Sequence, residues 1–113
     1  MKITISVNIY YENSNNIDSL TKSIEADRDV MELIDWEAIG KSMISKGLQE
    51  CQSVNPLVCI EIQIPRDEGS FPVRVKFQLK FPRELSEKID WAQISDGLIQ
   101  CALKEHDQLA TCG

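Results

Sequence analysis

The groups in this chain best suited to covalent or metal chemistry are four cysteines, Cys51, Cys59, Cys101 and Cys112, and one histidine, His106. A zinc site draws its thiolate and imidazole ligands from paired arms such as CxxC or HxxxH, and no such pair occurs. The four cysteines therefore read as reduced thiols, some packed as small hydrophobes, with no metal and no structural disulfide. His106 beside Asp107 has the composition of a base and its orienting carboxylate, yet no activated serine or cysteine lies near it in sequence. Cys101 precedes His106 by five positions, a spacing that does not share one helix face. A histidine near a helix C-terminus is more simply a favourable dipole contact. Gly40-Lys41-Ser42 resembles the end of a phosphate loop, but Asp35 stands where the first glycine is required and the triplet falls inside a helical pattern. No catalytic residue and no cofactor is assigned, and the chain reads as a non-enzyme.

Charge is the stronger signal. The chain carries 18 Asp and Glu against 12 Lys and Arg, a net charge of −6. Between residues 12 and 33 stand Glu12, Asp18, Glu25, Asp27, Asp29 and Glu32 against only Lys22 and Arg28; with Asp35 and Glu37 this stretch accounts for the whole imbalance. The expectation is an acidic docking surface for a basic protein partner, formed by Glu25, Asp27, Asp29 and Glu32, since complementary charge accelerates and orients association. The bland alternative is a solvated loop that aids solubility. A calcium loop is excluded because Arg28 and Val30 interrupt the carboxylates and no glycine supplies the turn.

Positive charge gathers elsewhere, at Arg74, Lys76 and Lys80 on the outward side of a strand, with Arg83 just beyond. Such a stripe on an open sheet could track phosphates, giving nucleic-acid or anion binding as the alternative function. Only Tyr10 could stack a base there, and the aromatic signature of an RNA-recognition strand is missing. Glu61 opposite these cations makes an ordinary cross-strand pair the simpler account, so nucleic acid is the less expected partner.

The elements that must position these residues follow from hydrophobic period. Ile3, Ile5, Val7 and Ile9 alternate with polar residues, as do Val58, Ile60, Ile62 and Ile64, and Val73, Val75, Phe77, Leu79 and Phe81; each reads as a half-buried strand. Pro65 and the Asp67–Ser70 run punctuate a hairpin between the last two. Asp35 and Asp90 are N-caps of two amphipathic helices, the first to about Cys51 and the second to about Lys104, with Gln93 at capping-box spacing. Trp36, Ile39, Met43, Ile44, Gly47 and Leu48 face the core from the first helix; Trp91, Ile94, Leu98, Ile99, Ala102 and Leu103 do so from the second.

The helices match at an offset of 55, Ile34-Asp35-Trp36 against Ile89-Asp90-Trp91. With the first strand matched to the strand at 73–81, the reading is an internal duplication in pseudo-repeats 1–64 and 72–113. The expected fold is α+β, a ferredoxin-like split β-α-β-β-α arrangement with a three-stranded antiparallel-type sheet in order 1-3-2 and both helices on one face. The segment 12–33 is then a long connection, in which Ile17, Leu20 and Ile24 could place a short helix. Strand one becomes an exposed edge, inviting a homodimer unless residues 108–113 fold back over it.

With 113 residues, 42 % hydrophobic and 27 % charged, the chain reads as one globular domain, residues 1–113. Nothing approaches a membrane-spanning apolar run, and the N-terminus alternates where a signal peptide would be continuously apolar, so a cytoplasmic location is expected. The functional expectation is a non-catalytic protein-binding module, such as an acidic inhibitor or immunity-type protein.

Overall fold

The computed structural model describes residues 1–12, 17–67 and 69–112. Four strands form one antiparallel sheet in the order β2-β1-β3-β4: β1 Lys2–Tyr10, β2 Ile17–Glu25, β3 Leu57–Ile64 and β4 Val73–Lys80. A short helix α1, Arg28–Met31, and the long helix α2, Trp36–Glu50, follow β2; a 3₁₀ turn, Arg83–Lys88, and helix α3, Trp91–Cys112, follow β4. One face of the sheet is covered by α2 and α3.

This corrects three expectations. The sheet is antiparallel, as expected, but it has four strands, and strand one pairs with the strand at 57–64 where the ferredoxin-like order 1-3-2 would set it beside the strand at 73–80. Strand one lies inside the sheet, paired on both sides, and offers no edge for a second copy; the edges are β2 and β4. The stretch from 12 to 33 contains β2 and α1 where a long irregular connection was expected. The alternative, in which residues 108–113 fold back over strand one, does not hold either, since 108–112 continue α3; Gly113 lies outside the described residues.

The missed strand explains the rest. Ile17, Leu20 and Ile24 have helical spacing, but Ser19, Thr21 and Ser23 alternate with Asp18, Leu20, Lys22 and Ile24. Along β1 the pairing places Ser19 beside Asn8, Thr21 beside Ser6 and Ser23 beside Thr4. Ser19 donates to Asn8 Oδ1 at 2.6 Å, and the Thr4 and Ser23 hydroxyls bond at 2.9 Å, a cross-strand polar ladder on the open face.

With β2 in place, the chain is two ββα units in a constant register. Lys2 pairs with Glu25 and Leu57 pairs with Lys80, so both partners of the first hairpin recur 55 residues later in the second. The same shift carries Ile3, Ile5, Val7 and Ile9 onto Val58, Ile60, Ile62 and Ile64, all at most 1 % exposed. It carries the Asp35 cap, which accepts from Ala38 N at 3.0 Å, onto the Asp90 cap, which accepts from Gln93 N at 3.0 Å. Strand one therefore corresponds to β3, not to β4, and the pseudo-repeat boundaries move accordingly.

The helices cross where Gly40 meets Ser95, again a pair separated by 55. A Cβ on Gly40 would overlap the Ser95 side chain, so the crossing demands a glycine at one of these two positions. Further along α2, a Cβ on Gly47 would come within 2.5 Å of Ile9 Cδ1, where the helix rests on β1. Trp36 and Trp91, matched positions at the helix starts, are both core residues, 1 % and 5 % exposed.

Candidate functional site

Between its second strand and its helix each unit has a ten-residue strap, residues 26–35 in the first and 81–90 in the second. The first strap is pinned at every turn. Met1 and Ala26 exchange hydrogen bonds, Met1 N to Ala26 O at 2.8 Å and Ala26 N to Met1 O at 2.9 Å, extending the sheet by one rung. The Asp27 carbonyl then accepts from Val30 N and Met31 N, which winds α1. Met31 is fully buried, and its carbonyl accepts from Trp36 Nε1 at 2.9 Å.

Arg28 clasps this strap to the far helix. Its guanidinium donates to both Asp107 oxygens, at 3.0 and 2.7 Å, and lies 3.3 Å from Glu32. This planar two-point geometry is the preferred one for arginine and carboxylate. The hydrogen bond from Arg28 holds the Asp107 carboxyl below its ordinary value, and Asp107 in turn raises the arginine further into its charged form.

The four carboxylates expected to dock a partner come together here. Glu25 ends β2, Asp27 precedes α1, Asp29 lies on α1 and Glu32 follows it, and all four are exposed. Asp35 and Glu37 continue the run, also exposed. The single cation among them, Arg28, is engaged by Asp107 and Glu32. Glu12 and Asp18, from the same acidic stretch, lie at the opposite end of the sheet, separated by the roughly 27 Å length of β2. Glu12 meets Lys80 at 3.7 Å and Asn55 Nδ2 at 3.0 Å. Asp18 accepts from the Tyr11 hydroxyl, and chiefly through that bond the phenol is pushed up to about 12.

Two residues of this surface were missed in the sequence. Leu33 is 83 % exposed and Val30 is 43 % exposed, both set among the carboxylates. The signal was available: Met31, Ile34 and Trp36 form the inward stripe, which leaves Val30 and Leu33 outside it.

The cations proposed for anion binding are divided. Arg74, Lys76 and Lys80 lie on the open face of the edge strand β4, at the margin of the sheet where its centre was expected. Arg74 Nε is 4.0 Å from Glu61, and Lys80 is engaged with Glu12. Beside Lys76 a small hollow of about 100 Å³ is lined by Asn8, Tyr10, Cys59, Glu61 and Gln78, and burial pushes the Cys59 thiol up. Arg83 is not part of this group. It donates to the carbonyls of Leu48, at 2.8 Å, and Cys51, closing the C-terminal end of α2.

Among the described residues, no group of three His, Cys, Asp or Glu side chains is placed to hold a metal ion, and no helix is long and apolar enough to cross a membrane. Comparison with protein-family models, with curated proteins and with solved structures returns no match.

Proposed function

We propose that this chain is a non-catalytic protein-binding module that docks on a basic partner through its first strap, in the manner of an acidic inhibitor or immunity-type protein. The supporting observation is the exposure of Leu33, at 83 %, inside a run of exposed carboxylates whose only cation is already neutralised. A solvated face that serves only solubility has no need of a leucine at its centre. An interface needs both parts, charge to steer the encounter and an apolar side chain to anchor it. The strap is fixed by Met1, Trp36 and Asp107, so little ordering entropy would be lost when a partner binds.

The test begins with a partner isolated on the immobilised chain at low salt and then purified. Its affinity for the wild type should fall as salt rises. Leu33→Asp should weaken binding about tenfold, chiefly through faster dissociation. Equal affinity of wild type and Leu33→Asp would remove the apolar anchor, and a salt-independent affinity would remove the electrostatic part.

A further inference from the structure

The sheet ends in two free edges, and the 55-residue offset lays one on the other, β2 against β4. Natural edge strands are blunted by lysine, proline or a bulge, because their unpaired N–H and C=O groups otherwise accept another strand. On the open face β4 presents Arg74, Lys76 and Lys80. The equivalent positions of β2 hold Ser19, Thr21 and Glu25. The nine residues of β2 contain no proline and pair with β1 without a bulge. One edge is guarded by repeated positive charge and its counterpart is not.

We propose that β2 is a dimer interface, pairing antiparallel with β2 of a second copy about a twofold axis at Thr21 and joining the two sheets into one. That register sets no two like charges directly opposite. Ser19 meets Ser23, Asp18 meets Ile24, Leu20 meets Lys22, Ile17 meets Glu25, and Thr21 meets its own mate. Lys22 selects a second copy over an arbitrary strand. It is exposed, forms no ion pair among the described residues, and as a charge on the helix side of an edge strand it opposes indiscriminate pairing. In the twofold register it lies diagonal to Asp18 of the other copy, within reach of its long side chain. Leu20 and Ile24, half-buried at the margin of the core, and Ile17, 48 % exposed, are covered by the pairing. The same operation on β4 sets Lys76 against Lys76, and joining β2 to β4 gives an open chain of copies that does not close. The dimer does not rest on the docking role of the first strap.

The test is sedimentation velocity of the full chain from about micromolar to about millimolar concentration. The wild type should pass from monomer to dimer over that range. Thr21→Lys, which gives β2 the lysine that β4 carries, should raise the dimer Kd about tenfold or more, and Thr21→Glu should do the same. An equimolar mixture of the two variants should regain the dimer, because the axis sets lysine opposite glutamate. Gln78→Lys on β4 should leave the equilibrium unchanged. Thr21 is exposed and bonded only weakly, to Ser6 Oγ at 3.5 Å, so the variants should keep the fold, and recovery in the mixture separates a blocked interface from a misfolded chain. The proposal is overturned if the wild type stays monomeric at the highest concentration or assembles beyond a dimer. It is equally overturned if Thr21→Lys dimerises as the wild type does, if the mixture fails to recover, or if Gln78→Lys is as disruptive.

Discussion

The two ββα units agree in strand register, in the buried residues of their first strands and in their helix caps, and they part company at the straps. In the first, Met31 fills the space under the strap, its carbonyl satisfies Trp36, and Arg28 reaches across to α3. In the second, Ser86 leaves that space open, Trp91 Nε1 has no acceptor among the described residues, and Arg83, the counterpart of Arg28, turns to the carbonyls ending α2. The first strap carries four carboxylates against one cation, the second three against two. Sheet and crossing positions are constrained by the core they share, since a change there opens a cavity or forces an overlap. The outward positions of the straps are free of that constraint, which leaves room there for a recognition surface.

The largest expected effect is at the paired tryptophans. Trp36→Ala should lower unfolding free energy by about 3–5 kcal/mol in a denaturant titration, since it empties a fully buried site. Gly40→Ala should cost about 1–3 kcal/mol, because its new methyl group overlaps the buried Ser95. Adding Ser95→Gly should recover most of that loss; additive losses would show that the two positions do not meet at the crossing. Replacement by phenylalanine separates the units more finely. Trp36→Phe leaves the Met31 carbonyl without its donor and should cost about 1–2 kcal/mol, whereas Trp91→Phe removes an unsatisfied N–H and should be neutral or stabilising.

The smallest effect is at the clasp. Asp107→Asn should cost about 1 kcal/mol or less, as befits a half-buried ion pair still reached by solvent. Its signature is in the pH dependence. Because Arg28 depresses the folded-state value of Asp107, the contribution is complete above about pH 4 and is lost as pH falls through the lower folded-state value. Thermal melts of the wild type should show that loss on acidification, and those of Asp107→Asn should lack it.

Much of this architecture was legible in the residues. Period-two alternation marked β1, β3 and β4, and the carboxylates at 35 and 90 marked both helix starts, because these signals depend only on local backbone needs. The strand β2 was not legible by period, since Leu20 and Ile24 are spaced as in a helix and its open face is a hydroxyl ladder rather than an apolar row. Extending the 55-residue offset from the helices back to the strands would have found it, for that shift lays Leu20 and Ile24 on Val75 and Leu79. Matching strand one to the wrong partner hid this and made an ordinary strand and strap look like an insertion. At the candidate site the charges were visible in the sequence. The exposed Leu33 and the vacant space beside Trp91 were not, because both depend on which way a strap lies against its helix.

The most direct measurement compares the straps in a single assay, the affinity of the purified basic partner. One variant carries Glu25, Asp27, Asp29 and Glu32 as lysine, and the other carries Glu84 and Glu87 as lysine. Reversal on the first strap should weaken binding by about tenfold or more and flatten or invert its salt dependence, while reversal on the second leaves both near the wild-type values. Undiminished affinity in the four-lysine variant, with its fold intact by circular dichroism, would contradict the assignment of recognition to the acidic strap.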